Sequence, residues 1–402
     1  MVRSIIFHHT DNDGFCSAAL LVQSLRRKYR KEVTMGRLPL DTKIDDLIEC
    51  VPINYSSFGI MDQIHSRCTS PRYKCQPDEI WIVDLSLTSD EDFKLLDEML
   101  KTFKSHIVWI DHHSSSLDAI KHREFDVFSN FSYSVFEDKG SAAMLVYKYL
   151  HADEVNDPPM VVKWVSDYDT FTFEHDRTEH FYYGSMMYPE IKDPKSDLWT
   201  KILNMDSPID ELMCIGIRTK WAAQEFYQSI IKHGYEVNFT IVLPIRYSDC
   251  GFQHTDDSAH YFVPSNAAVA ITLKAFVVNT CYKTGMVFRE IRNFYDVVIA
   301  YCDEPGFAAS YSIYQSMDNG LPGMCDLISG LIDDCGGGHP GAAGFRAAKG
   351  IFNGTTKNVV YVVPVEKIDK AKEFLENIKN RCDGCCHVIK IEAHENVYND
   401  SI

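Results

Sequence analysis

Short apolar runs and amphipathic stretches alternate through the first 170 residues of the chain. Ser4–Phe7, Ile80–Val83 and His106–Ile110 are apolar runs of strand length, and Val161–Ser166 reads as a fourth. Between them, the spacing of apolar positions predicts helices over Ser17–Tyr29 and Ser89–Lys101. Gly140-Ser141-Ala142-Ala143 opens another that runs to Leu150. Such alternation predicts βαβ units and a mostly parallel sheet. Glu49–Pro77, rich in Pro, Ser and Cys, reads as a loop-bearing connection. At Tyr188 the pattern shifts to a polar stretch with two prolines, and Ile209–Gly234 then reads as a long helix. Strands return at Phe239–Pro244, Ala270–Val278 and Val297–Tyr301, with a polar, irregular segment over Arg246–His260.

A chain of 402 residues exceeds what one hydrophobic core usually organises. The expected architecture is α/β: a parallel-sheet domain over 1–187, a helical linker over 188–237 and a smaller α/β domain over 238–402. A cleft is expected between the two domains. Hydrophobic residues at 45% and charged residues at 24% are ordinary for a globular protein. No stretch approaches the roughly 20 apolar residues of a membrane span, and no basic, apolar signal region precedes the first strand. The expectation is a cytoplasmic protein with no membrane partner. A homodimer stays open.

The 13 cysteines are an odd number scattered along the chain, which favours reduced thiols. Cys382, Cys385, Cys386 and His387, with Cys68 and Cys75, match no zinc spacing closely. A net charge of −17 argues against a surface that coats long nucleic acid, whose binding needs phosphate neutralisation. It leaves room for a short anionic substrate, because a bound metal reverses the field locally. The basic run Arg26–Lys31 ends the first predicted helix and reads as a solvated helix end.

The chemistry gathers where the apolar runs end. His9-Thr-Asp11-Asn-Asp13-Gly14 follows the first, Asp84 the second, Asp111-His112-His113 the third and Asp167 the fourth. In a parallel sheet these C-terminal ends lie along one edge, where ligand sites form. His9, Asp11, Asp13, Asp84, His112 and Asp167 suffice for two divalent cations sharing a carboxylate. Imidazoles mixed with carboxylates favour Mn²⁺, with Mg²⁺ as the alternative. Two such ions would activate a water and stabilise both oxygens of an in-line displacement. The His9–Gly14 stretch taken alone also reads as an Asp/Gly turn beside a helix cap. Asp111 can hold a neighbouring imidazole in one tautomer. Ser114-Ser115-Ser116 reads as a loop. Farther on, Gly336-Gly337-Gly338-His339 reads as an anion-binding concavity of backbone amides.

In their order and spacing these motifs resemble the DHH phosphoesterases with their associated C-terminal domain, over residues 4 to about 346. The resemblance implies one metal on His9, Asp11 and Asp84, and a second on Asp13, Asp84, His112 and Asp167. His113 would contact the scissile phosphate, and Asp84 and Asp111 would complete the catalytic set. His339, Gly336, Gly337, Gly338 and Ser316 would hold substrate. Val51-Pro-Ile-Asn-Tyr55 and Ser166-Asp-Tyr-Asp-Thr170 look most like the oligoribonuclease branch, the nanoRNases, which act on short oligonucleotides or dinucleotides. The alternatives are a cyclic (di)nucleotide phosphodiesterase, a 3′-phosphoadenosine phosphate phosphatase or a non-catalytic nucleotide-binding module. One departure stands out: Ser310–Ser316 lacks the arginine that grips substrate phosphate in these enzymes.

Overall fold

The computed structural model describes residues 2–55, 59–70, 76–121, 133–136, 140–152, 157–206, 208–244, 251–255, 258–262, 268–306, 308–315, 324–333, 336–339, 341–352, 357–363, 367 and 391–392. The chain divides into two units, Met1–Ala223 and Gln224–Ile402. Residues 188–223 thus go with the first unit and 224–237 with the second.

The opening apolar run forms β1 (Ser4–His9), followed by α1 (Asn12–Thr34). Next come β2 (Ile48–Ile53), α2 (Ile60–Cys68), β3 (Glu79–Val83) and α3 (Asp90–Thr102). The series continues with β4 (His106–Asp111), α4 (Ser114–Lys121), β5 (Tyr133–Phe136) and α5 (Ala142–Leu150). Helices α6 (Met160–Asp169), α7 (Thr178–Ser185), α8 (Asp197–Leu203) and α9 (Ile209–Ile231) follow. The five strands form one sheet in the order β2-β1-β3-β4-β5, every pair parallel. Both faces are covered, which is why the strands read as unbroken apolar runs. Ile6, Val108 and Ile110 pack with α1, α5 and α6, while Ile5, Phe7, Ile82 and Trp109 pack with α2 and α3.

Four local expectations are corrected. Glu49–Pro77 is not mainly loop: it holds β2 and α2, the strand concealed by Pro52, an exposed residue on a sheet-edge strand. Val161–Ser166 lies in α6 and is no strand; an apolar run of six cannot be told from a buried helix by periodicity alone. Ser114–Ser116 opens α4. Arg246–His260, expected to be irregular, contains β7 (Gly251–Thr255) and the start of β8 (Ser258–Phe262), an antiparallel pair.

The second unit adds β6 (Tyr235–Pro244), those two strands, β9 (Ala268–Asn279), β10 (Val297–Asp303) and β11 (Ala308–Gln315). Then come α10 (Met324–Ile332), β12 (Gly337–His339), β13 (Ala342–Ala348), β14 (Asn358–Val362) and β15 (Ile391–Glu392). Its sheet runs β12-β13-β11-β10-β9-β6-β14, with β15 also on β9. Met324, Cys325, Ile328 and Leu331 of α10 pack on Tyr311, Ile313 and Phe345 of this sheet.

Cys68 is a buried free thiol, whereas Cys75, Cys382, Cys385, Cys386 and His387 lie outside the described residues. Within the basic run, Arg26 is forked onto Asp45 and Lys28 is paired with Glu79. No helix among the described residues is long and apolar enough to cross a membrane.

Candidate metal centre

The C-terminal edge of the first sheet is built from three strand-to-helix turns. After β1, Asp11 caps α1 and accepts from the Gly14 N–H at 2.9 Å. Position 14 admits no side chain: a Cβ there would stand 2.3 Å from the His9 carbonyl oxygen. That close approach carries Asp13 into the interior, where it is 2% exposed. Its two oxygens accept the Ala142 and Ala143 N–H groups at 2.7 and 2.9 Å, at the positive end of α5. After β3, Asp84 takes the left-handed conformation (φ 56°), and its N–H donates to the Ile110 carbonyl at 3.0 Å. A non-glycine residue there costs on the order of 1–3 kcal/mol and is retained where the surroundings demand it.

After β4, the fully buried Asp111 accepts from His113 Nδ1 at 2.7 Å and from Ser116 Oγ at 2.6 Å. His113 is thereby held through one ring nitrogen. His112 turns the other way: its Nε2 lies 3.3 Å from Asp169 Oδ2, 3.4 Å from Asp84 Oδ1 and 3.8 Å from Asp13 Oδ2. His9 Nδ1 stands 2.8 Å from Asp11 Oδ2 and 3.8 Å from Asp84 Oδ2.

Among the described residues, three groups of potential ligand atoms result, each drawn together within 4.8 Å: His9–Asp11–Asp84, Asp13–His112–Asp169 and Asp84–His112–His113. Five of the six residues expected from the sequence as metal ligands are therefore brought together: His9, Asp11, Asp13, Asp84 and His112. Asp167 is not among them. Its carboxylate accepts from Thr172 Oγ1 at 2.6 Å, Glu174 N at 2.7 Å, His175 N at 3.0 Å and Thr178 Oγ1. Burial works against ionisation, but these donors, Thr172 and Thr178 foremost, hold Asp167 below the usual carboxylate range. It organises the turn after α6. Asp169, two residues on and on another face of that helix, reaches the cluster instead.

The cluster is electrostatically unfinished. Asp84 Oδ2 and Asp169 Oδ2 are buried without a hydrogen-bond partner. Burial, then the neighbouring carboxylates Asp11 and Asp13, push Asp84 well above the carboxylate range. Burial and Asp13 do the same to Asp169. Asp13 is pushed up to about 6, by burial first and by Asp11 second. Buried acids crowded in this way call for a cation, and the oxygen and imidazole donors suit a hard to borderline divalent ion. The residues present fit such a group.

The sequence reading passed over Asp169, Ser116 and Tyr55. Asp169 stood in the quoted Ser166–Thr170 motif, and helical phase would have separated it from Asp167. In the second unit, Gly337–His339 form the edge strand β12, and Gly336 directly precedes it. Ser316 lies outside the described residues. The strand stretch without arginine has cations beside it: Lys283 Nζ donates to the Ser310 carbonyl at 2.9 Å, and Arg346 is the register partner of Ser310 on β13.

No curated protein matches the sequence. Among solved structures, the DHH domain of a member of a family of ribosomal proteins is 15% identical, with a TM-score of 0.52, covering 95% of this chain and 86% of its own. A protein from Helicobacter pylori G27 is 16% identical, with a TM-score of 0.36, covering 94% and 100%. A pGpG-specific phosphodiesterase from Vibrio cholerae is 12% identical, with a TM-score of 0.35, covering 95% and 99%. The last two overlay loosely, and the likeness of fold rests on the first. The description "DHH family, N-terminal domain" matches residues 3–168, which takes in all three turns of the centre. Over residues 3–168 the chain is similar to DHH-family N-terminal domains.

Proposed function

We propose that this chain is a divalent-metal-dependent phosphodiesterase that hydrolyses short oligoribonucleotides or dinucleotides to mononucleotides with two Mn²⁺ ions. The observation that carries the reading is Asp84, which stands within 4 Å of both His9 and His112 and has a buried oxygen with no partner. His9, Asp11 and Asp84 would hold one ion, and Asp13, Asp84, His112 and Asp169 the other. Bound there, the ions supply Lewis-acid activation of water and neutralisation of phosphate charge.

The protein's own residues do the rest. Asp111 fixes His113 at Nδ1, leaving Nε2 to donate to a phosphate oxygen. Burial works against protonation of His113, but Asp111 raises its pKa above the ordinary value, which favours the donor form. The N-terminus of α1, directly behind Asp11, adds a positive dipole end for an anion. Substrate contacts in the second unit are assigned to Gly336, Gly337, Gly338 and His339. A net charge of −17 suits a short substrate rather than a long polyanion.

The test is Mn²⁺-dependent turnover across one panel: pApA, a five-nucleotide RNA, a 25-nucleotide DNA, cyclic dinucleotides and 3′-phosphoadenosine phosphate. Release of mononucleotides from the two short RNAs is the expected result. Preference for the cyclic or phosphatase substrates would overturn the substrate assignment, and no turnover at all would overturn the enzyme reading.

A further inference from the structure

Tyr55 lies just beyond β2 and is 51% exposed. Its ring centroid is 5.3 Å from that of His9, at an interplanar angle of 58°. Its oxygen accepts the Ser86 N–H at 2.9 Å. Ser86 belongs to the turn that carries Asp84, and its hydroxyl lies 2.9 Å from Ser116 Oγ, which donates to Asp111. The phenol oxygen is therefore pinned between the His9–Asp11–Asp84 group and the support of His113.

A phenol that accepts one hydrogen bond still has its own proton to donate. No acceptor for that proton is found among the described residues, although the oxygen is anchored by a backbone amide. A fixed donor with nothing to donate to, at the rim of a cluster suited to cations, is matched by an anionic oxygen brought in by a ligand. The half-exposed residue leaves an approach from solvent.

We propose that Tyr55 is a substrate-contacting residue whose hydroxyl donates to a non-bridging oxygen of the scissile phosphate. This rests on the phosphodiesterase reading. The contact is made in the ground state and strengthens as charge builds on the phosphate, so its loss lowers kcat more than it raises KM.

The experiment compares wild type with Tyr55→Phe, which removes the hydroxyl alone, on pApA and on its Rp and Sp phosphorothioate forms with Mn²⁺. The expected result is a fall in kcat/KM of roughly 10- to 100-fold, the scale of a hydrogen bond to a charged group. The melting temperature and Mn²⁺ stoichiometry stay unchanged. Sulfur is a poor acceptor, so wild type should discriminate against one diastereomer and Tyr55→Phe should lose that discrimination. A merely structural tyrosine would not alter the stereochemical preference. Equal kinetics of the two proteins, or equal discrimination between diastereomers, would overturn the contact while leaving the phosphodiesterase reading intact. A wild type that turns over no phosphodiester would overturn that reading first, and the contact with it.

Discussion

His112 Nε2 lies 3.3 Å from Asp169 Oδ2 and 3.4 Å from Asp84 Oδ1, so a single imidazole meets two buried carboxylates delivered by different elements. Asp169 comes from the end of α6 and Asp84 from a left-handed turn after β3. Neither position is a low-energy place for an unpaired acid.

The contrast between Asp169 and Asp167 gives the first prediction. Asp169→Asn should lower metal-dependent turnover by at least about 100-fold, the scale on which metal sites respond to disturbance of their ligand environment. It should not lower the melting temperature of the metal-free protein, because it removes one of several crowded like charges. Asp167→Asn should do the reverse. It weakens hydrogen bonds to a carboxylate that four donors engage, and should cost roughly 2–4 kcal/mol in urea unfolding. If Asp167→Asn alone abolished metal binding, the assignment would be exchanged.

Stability should depend on pH in a direction set by the raised acids. Below the ordinary carboxylate pKa of 3.8, Asp13 is protonated whether folded or unfolded, and burial costs no charge. As pH rises from there through about 6, the unfolded chain ionises first, and stability on the order of 3 kcal/mol is lost from this group. Asp84 and Asp169, also raised by burial and neighbouring carboxylates, contribute a loss of the same sign. A bound divalent cation reverses this, so the Mn²⁺-induced rise in melting temperature should be larger at pH 7.5 than at pH 5. Calorimetric scans at the two pH values, with EDTA or Mn²⁺, would read this directly, and an equal rise at both would refute it.

Asp111→Asn should leave His113 in place with a weaker hold. Because Asp111 favours the imidazolium, its loss lowers the His113 pKa. The alkaline limb of the kcat profile should then move to lower pH, with little change in the acid limb. A profile unmoved by this substitution would remove His113 from the role of proton donor.

Gly14→Ala should cost more than about 2 kcal/mol, since the new methyl would stand 2.3 Å from the His9 carbonyl. The displaced turn carries both Asp11 and Asp13, so Mn²⁺ affinity should fall together with stability. Urea denaturation and calorimetric titration of the same variant would show both.

The sheet of the first unit was legible because its central strands are buried on both faces and therefore stand out as apolar runs. β2 was not, since it is an edge strand carrying a proline. Strand-end residues such as Asp84 and His112 could be placed because each followed a recognisable run. Asp169 could not, because its run is helical and the ligand is selected by helical phase rather than by nearness to the apolar stretch. Tyr55 acts through a contact distant in sequence, with Ser86, and no local pattern announces such a pair, while Ser116 reaches Asp111 only because the serine run is helical. The glycine-rich motif was visible as composition, but its place as the edge strand β12 depends on pairing with β13.

The most direct measurement is calorimetric titration of Mn²⁺ into metal-free wild type and Asp84→Asn at pH 7.5. Asp84 is assigned to both ions, so wild type should bind two per chain and the variant should lose both at the same concentrations. Wild type that binds none, or an Asp84→Asn protein that still binds two with wild-type affinity, would contradict the account of this centre.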